Sequence, residues 1–245
     1  MNCDLHADAH PPMQSVFKLP LVLTVLYLVE QGKFTLEQKI RFEKRDLILP
    51  KPYSPLQDKY PQAGVELPLR ELLELTVGRS DNTAADMLLR LAGGEKVVAD
   101  YVASLGVTGF ELRDNERALH REKKLQYRNW FEPRGAVQLL RVLNDRSPLT
   151  AEHTALLLEW MTESPSPLVA SLPAGTKTPH KTGHSDTVDQ LTAATNDIAL
   201  IALPDGRRVA LAVFITDSTA EESVRQRVFA EIGKEVYEFA VKGRE

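Results

Sequence analysis

The sequence predicts an α/β fold of the α+β type, with a helical lobe packed on a small antiparallel sheet flanked by helices. Three observations lead there. Apolar residues recur at helical spacing through the middle of the chain, the last third changes to strand-like patterns, and no internal repeat interrupts either region. At 245 residues the chain is long enough to bury a substantial core. Its lone cysteine, Cys3, excludes an internal disulfide and leaves too few thiols for a zinc or iron–sulfur site.

Pro11 and Pro12 close an irregular N-terminal piece, and a strongly apolar helix is expected from Gln14 or Ser15 to Glu30, with Gly32 as its stop. Its core, residues 19–29, is shorter than a membrane span and lacks the flanking charge and cleavage site of an export signal, so it reads as a buried helix. A turn-rich span with Pro50, Pro52, Pro55 and Pro61 shows no period. Helical stripes resume with Leu69, Leu72, Leu73, Leu75 and Thr76, then Met87, Leu88 and Leu91, then Val97, Val98, Tyr101 and Leu105. Residues 111–132 are charged and aperiodic and read as a long surface loop of the kind that carries function.

Helices are expected over 133–143 and 150–162, and Ser164-Pro165-Ser166-Pro167 then breaks the pattern. Strands are expected over 176–183, 196–203 and 208–216, the last two joined by a hairpin at Pro204-Asp205-Gly206. Thr219 followed by Glu222 reads as a capping box opening a final helix to about Ala240. The predicted division is 15–167 as an all-helical lobe that includes the loop 111–132, and 1–14 plus 168–245 as an α/β lobe with three strands and the C-terminal helix.

The net charge of −4 arises from 30 basic and 34 acidic residues without long single-sign blocks, which argues against nucleic acid as a partner. Nothing in the chain calls for a membrane. His6, His10, His120, His153, His180 and His184 lack metal-ligand spacing, so no metal is expected.

Three short motifs carry the chemistry: Ser15-Val16-Phe17-Lys18, Ser80-Asp81-Asn82 and Lys181-Thr182-Gly183. From the chain's own composition the first is expected by chance about 0.6 times, the second about 0.015 and the third about 0.05. Jointly they are expected in roughly one such chain in two thousand. Ser15 falls where the apolar helix starts, near unpaired backbone N–H groups, and Lys18 lies one turn on, within reach of its hydroxyl. A lysine there can take a proton from serine. The alternative, Ser15 as a helix cap and Lys18 as a surface lysine, accounts for the serine but not for a lysine among Val16, Phe17, Leu19 and Leu21. Ser80-Asp81-Asn82 precedes a helix and has helix capping as its alternative. Lys181 and Thr182 supply a cation and a hydroxyl for an anion, and Gly183 permits close backbone approach; a lysine-guarded edge strand is the alternative.

In this order the motifs resemble the penicilloyl-serine superfamily, and their details resemble class A serine β-lactamases. Pro12-Met13-Gln14-Ser15-Val16-Phe17-Lys18-Leu19-Pro20 is similar to the nucleophile segment of the subgroup that includes several extended-spectrum enzymes. Gln126-Tyr127-Arg128-Asn129-Trp130, Thr195-Asn196-Asp197 and Leu203-Pro204-Asp205-Gly206 fit the same subgroup. The resemblance implies a β-lactamase/transpeptidase-like fold with the site between the lobes and Ser15 as the acylated nucleophile. It further implies Lys18 as base or proton relay, Ser80 as proton donor to the β-lactam nitrogen, and Asn82 as a holder of the substrate's side-chain amide. Lys181 and Thr182 would receive the substrate carboxylate, and the backbone N–H groups of Ser15 and His184 would form the oxyanion hole. Glu116, 36 residues after Ser80, matches the family's water-activating glutamate, with Glu111, Glu122 and Glu132 in the same loop as competitors. His120 stands where asparagine is commoner and is a candidate for positioning water or the loop. A small β-lactam substrate, no cofactor, a monomer, and a periplasmic or secreted location follow from the resemblance.

Three departures stand out. Only fourteen residues precede Ser15, where the family has an export signal, a helix and two strands, so the sequence is expected to start downstream of the natural beginning and to leave 208–216 as an unpaired apolar edge. No arginine falls within 164–203 to stand behind the carboxylate site, which would then lean on Lys181, Thr182 and His184. His184 and Asp186 are unusual just after Lys181-Thr182-Gly183. The leading expectation is a hydrolase that opens β-lactams through Ser15 and Glu116; the alternatives are a D-Ala-D-Ala peptidase of the same superfamily and a β-lactam-binding sensor or degenerate scaffold without turnover.

Overall fold

The structure is a computed structural model that describes residues 3–243. A 3-10 turn, Gln14–Phe17, leads into α1 (Lys18–Glu30). Strand β1 (Lys39–Phe42), α2 (Pro55–Lys59) and β2 (Val65–Pro68) follow, then α3 (Leu69–Val77), α4 (Asn82–Ala92) and α5 (Glu95–Ser104). The next span holds β3 (Phe110–Glu111), α6 (Glu116–Arg121), a 3-10 helix at Lys123–Arg128 and β4 (Trp130–Phe131). Helices α7 (Pro133–Asp145) and α8 (Ala151–Trp160) precede β5 (His180–His184), β6 (Thr187–Val188), β7 (Leu191–Ala202), β8 (Arg208–Ser218) and α9 (Glu222–Lys242).

Helix α1 is apolar on every side, and a helix of that kind is stable only when surrounded. Leu19, Leu21, Val22, Leu23, Val25 and Leu26 have no exposed surface, and α3, α4, α5 and α8 pack around them. The main sheet centres on β7, which is paired antiparallel with β5 and β6 along one side and with β8 along the other. Alternation along β7 feeds two cores: Ile198 and Leu200 face the helices around α1, while Ala199 and Ile201 face Leu168 and Phe229 beneath α9. Strand β8 continues the pattern, with Ala210, Ala212 and Phe214 on the first side and Val209, Leu211, Val213 and Ile215 on the second. Among the described residues β8 has β7 as its only strand partner, as expected of an apolar edge.

Several expectations are corrected. The span 111–132 is not a structureless loop; it is pinned by the β3–β4 pair at its neck and contains α6 and a 3-10 helix. The turn-rich span before it holds the β1–β2 pair. The strand expected over 176–183 begins only at His180, just past Pro179, whose ring nitrogen has no proton to offer a ladder. Among the described residues the main sheet has four strands rather than three, because Asp189 and Gln190 both adopt positive φ, 49° and 64°, and turn β6 tightly into β7. The expected capping box at Thr219 and Glu222 is absent: Glu221 is the N-cap of α9 and makes no side-chain cap bond.

Helix α9 lies directly on the 3-10 turn Pro167–Val169, and Gly233 makes that approach possible. A Cβ at position 233 would lie 1.9 Å from the Leu168 carbonyl oxygen. Gly233→Ala is therefore expected to lower stability by about 3 kcal/mol in urea unfolding, because backbone cannot yield as a side chain does. An unchanged midpoint would contradict this packing.

Candidate active site

A cleft of about 480 Å³ opens between the start of α4, the helix α6 and strand β5. Ser15, Ser80, Asn82, Glu116, His120, Thr182 and His184 line it, and Lys18 and Lys181 are buried in its floor. The structure thus brings together groups separated by up to 169 positions in sequence, Ser15 to His184.

Ser15 does not sit on an α-helix, as expected, but in the 3-10 turn before it, and Gln14 ahead of it has a φ of +47°. Strand β5 presses against this turn at Gly183, where a Cβ would meet the Met13 carbonyl oxygen at 2.6 Å and the Ser15 nitrogen at 3.2 Å. Only glycine lets the β5 backbone come this near the serine. The Asn196 amide donates to the Pro12 carbonyl (2.9 Å), tying β7 to the same turn.

Lys18 is the centre of the constellation. Its Nζ donates to Ser15 Oγ (2.9 Å), to the Ser80 carbonyl (2.8 Å) and to Asn82 Oδ1, and stands 3.0 Å from Glu116 Oε1. An ammonium has three protons, and four oxygens surround this one, so the carboxylate and the serine hydroxyl compete for the same nitrogen. A proton passed from Lys18 to Glu116 would leave an amine lone pair able to accept from Ser15 Oγ.

The second motif divides its labour. Ser80 has a φ of +56°, a strained value for a residue with a side chain. Asp81, fully buried, holds that turn: it caps α4 at the Ala84 nitrogen (2.8 Å) and accepts from Ser54 Oγ and the Leu56 nitrogen. Burial raises its pKa against those bonds. The helix-capping alternative therefore holds for Asp81, while Ser80 and Asn82 face the cleft.

Lys181 Nζ donates to Ser80 Oγ (3.0 Å) and to the Thr182 carbonyl (2.8 Å), so the Ser80 hydroxyl lies against one lysine and its carbonyl against the other. Burial and the neighbouring Lys18 charge push the Lys181 pKa down from 10.5 to about 7, despite Asp197 and Glu116. His184, open to the cleft on one side, has its pKa lowered by burial and by the Lys181 and Arg225 charges. His180 is buried, bonded to the Thr178 carbonyl, and held below its ordinary pKa mainly by desolvation.

Glu116 opens α6 with its side chain against Lys18, and His120 lies one turn further on the same short helix. Of the competing glutamates, Glu111 pairs with Arg113 and Glu132 with His10. Asn129 closes the neck of this span by accepting the Arg113 and Asp114 nitrogens. Its outer side is tied across the cleft by Gln14–Gln126, Lys123–Asp186 (2.6 Å) and Tyr127–Asp217 contacts.

Arg225 is the residue that the sequence did not reveal. It lies in the first turns of α9, buried, and donates to Thr195 Oγ1 (2.9 Å) and the Ala220 carbonyl. Thr195 is the register partner of His184, so a guanidinium stands beneath the end of β5 although no arginine occurs in 164–203. Among the described residues no group of histidine, cysteine, aspartate or glutamate is arranged to hold a metal ion, and no helix is long and apolar enough to cross a membrane.

Comparison with known proteins gives the family and the fold. Residues 1–240 match the model of the beta-lactamase enzyme family. The chain is 38% identical over 234 residues to the extended-spectrum beta-lactamase PER-1 of Pseudomonas aeruginosa, covering 94% of this chain and 76% of that protein. The crystal structure of a beta-lactamase from Chitinophaga pinensis DSM 2588 superposes with a TM-score of 0.92 at 41% identity, over 96% of this chain and 88% of that one. A class A beta-lactamase representative from Bacteroides cellulosilyticus DSM 14838 gives 0.90 at 32% identity, over 96% and 85%.

The electrostatics make one direct prediction. In a nitrogen-15 NMR titration of lysine side chains, the Lys181 signal, identified by its loss in Lys181→Met, is expected to titrate with a midpoint near 7. The ammonium is present below that pH and lost above it. A midpoint at the ordinary lysine value would contradict the buried, cation-flanked setting.

Proposed function

Taking as premise that this chain belongs to the β-lactamase enzyme family, a class A serine enzyme that hydrolyses the β-lactam amide bond, we propose how its own residues divide that chemistry. The observation that carries the reading is the Ser15–Lys18–Glu116 chain, with 2.9 Å and 3.0 Å links in a buried floor. The β-lactam carbonyl lies over Ser15, its oxygen facing the backbone N–H groups of Ser15 and His184. Donors fixed in place before reaction stabilise the oxyanion without reorganising. Lys18 passes a proton to Glu116, and the resulting amine takes the Ser15 proton as Oγ bonds to the carbonyl carbon. The ring C–N bond then breaks as Ser80 gives its proton to the leaving nitrogen. Ser80 recovers a proton through Lys181, 3.0 Å from its hydroxyl and with a pKa near neutrality.

Deacylation runs through the carboxylate. Once Glu116 has given to solvent the proton it received in acylation and Lys181 has taken one up, Glu116 takes a proton from a water, the oxygen adds to the acyl carbon, and the ester bond breaks with Ser15 Oγ regaining its proton from Lys18, which Glu116 recharges. Asn82 holds the acylamino side chain of the substrate. Lys181 and Thr182 receive its carboxylate, and Arg225 beneath β5 adds the positive field that the missing arginine of 164–203 would supply. His120, on the face of α6 that carries Glu116, borders the place of the hydrolytic water. The contact of Glu116 with Lys18 favours turnover over the peptidase and the non-hydrolysing sensor. The family relationship supports a monomer in a periplasmic or secreted location.

In Glu116→Gln, steady turnover of a chromogenic cephalosporin is expected to fall by about 10²- to 10⁴-fold, as for loss of a general base. Intact-protein mass spectrometry should then find a stoichiometric acyl adduct, mapped by peptide digestion to Ser15. Undiminished turnover, or an adduct elsewhere, would overturn the assignment.

A further inference from the structure

Arg79, next to Ser80 in the link between α3 and α4, lines the cleft, and no step of the hydrolysis above uses it. Its Nε donates to Glu163 Oε2 (2.9 Å) from the segment after α8. That carboxylate stands where a side chain of residue 78 would be: a Cβ on Gly78 would lie 2.9 Å from Glu163 Oε2 and 3.0 Å from the Glu74 carbonyl oxygen. Gly78 has an ordinary helical backbone, with a φ of −77°, so it is the missing side chain that lets Glu163 reach Arg79 from behind. Glu163 does not line the cleft, and its side chain is 22% exposed against 60% for Arg79. The ion pair therefore turns its positive end to the cleft, and among the described residues the two terminal nitrogens of Arg79 make no hydrogen bond. We propose that Arg79 is a specificity-determining residue that binds an anionic substituent on the substrate's ring, on the side of the ring that carries the carboxylate. The inference rests on Lys181 and Thr182 as the receivers of that carboxylate.

The neighbours of the pair place it. Ser164 and Pro165, which follow Glu163, line the cleft as well. The Ser164 hydroxyl lies 3.4 Å from His180 Nε2, and His180 immediately precedes Lys181 on β5. Arg79 is thus joined through Glu163 to the strand where the carboxylate docks. In a cephalosporin the variable ring substituent sits on the carbon next to the one bearing the carboxylate. With the carboxylate at Lys181 and Thr182, that substituent extends toward this rim, while the acylamino group at the other end of the bicycle goes to Asn82. A guanidinium suits an anion here, because it is always charged and weakly hydrated and, once Nε is held, keeps its remaining N–H donors in a fixed plane. Glu163 restrains the charge and also offsets part of it. At this exposure the attraction for an anion is modest, enough to tilt selection among substrates rather than to set turnover.

The test uses three cephalosporins that share one acylamino side chain: ceftriaxone, cefotaxime and cefepime, whose ring substituents near neutral pH are anionic, neutral and cationic. The ratio of kcat/KM for the anionic over the cationic compound should fall about three- to tenfold in Arg79→Gln, since an attraction is lost and a repulsion relieved, each of the size of a partly exposed ion pair. Glu163→Gln should raise the ratio, because the amide oxygen still accepts from Arg79 Nε in the same space while the offsetting charge is gone. An unchanged ratio in Arg79→Gln overturns the proposal. So does an equal loss on all three compounds, which is what a merely structural tie between Arg79 and the turn at Ser164 and Pro165 would give. Should Arg79→Gln not fold, Glu163→Gln decides, and a ratio that does not rise overturns the proposal. Lys181→Met run alongside distinguishes the causes: if it weakens turnover of all three compounds while the Arg79→Gln ratio holds, only this inference fails, and if it weakens none the placement of the carboxylate fails with it.

Discussion

The structure depends on a lysine ammonium buried without exposed surface at the first turn of α1. Moving such a charge out of water costs several kcal/mol unless surrounding groups take its protons. Ser15, the Ser80 carbonyl, Asn82 and Glu116 do so, and they arrive from the 3-10 turn, the start of α4 and the start of α6. Lys18 therefore ties three separate segments to one point. The apolar body of α1, enclosed by α3, α4, α5 and α8, gives that point a rigid mount. Removing one partner would leave a charge or a carbonyl uncompensated, which is why the positive φ angles at Gln14 and Ser80 persist: their neighbours over-determine them.

Around this centre the site balances charge rather than accumulating it. Lys18 lies against Glu116, while Lys181, on the far side of Ser80, has no carboxylate hydrogen bond among the described residues. Its larger acidic influence is Asp197 on β7, itself buried and raised to about 7 by desolvation, with Ser166 bonded to one oxygen. The result is a second lysine poised near neutral pH beside a hydroxyl, the condition for moving a proton in either direction. Chemistry at Ser15 and at Ser80 is thus served by two ammonium groups with different surroundings.

Much of this was legible before any coordinates. The three motifs can be read because their joint occurrence is improbable, and α1 because its apolar run is too long for a strand, too short to span a membrane and without the flanks of an export signal. What escaped was tertiary. Helix α6 is too short to leave a periodic trace and owes its existence to Asn115 and Asp86, the latter thirty positions away from Glu116. The Asp189-Gln190 turn lacks the asparagine-glycine signature because β6 and β7 impose its backbone. Arg225 was missed for a similar reason: nothing in a helical arginine discloses that its guanidinium reaches back to Thr195, the partner of His184. The capping pattern at Thr219 and Glu222 was a local preference that the approach of α9 to the sheet overrode.

The most direct test of the central claim is the rate at which the purified protein and its Ser15→Ala variant open a chromogenic cephalosporin at pH 7. The account predicts steady hydrolysis by the protein and a loss of at least about a thousandfold in a variant that keeps the same circular dichroism and thermal midpoint. Hydrolysis by the variant at a comparable rate would mean that the hydroxyl held by Lys18 is not the group that attacks, and the account of the site would be wrong.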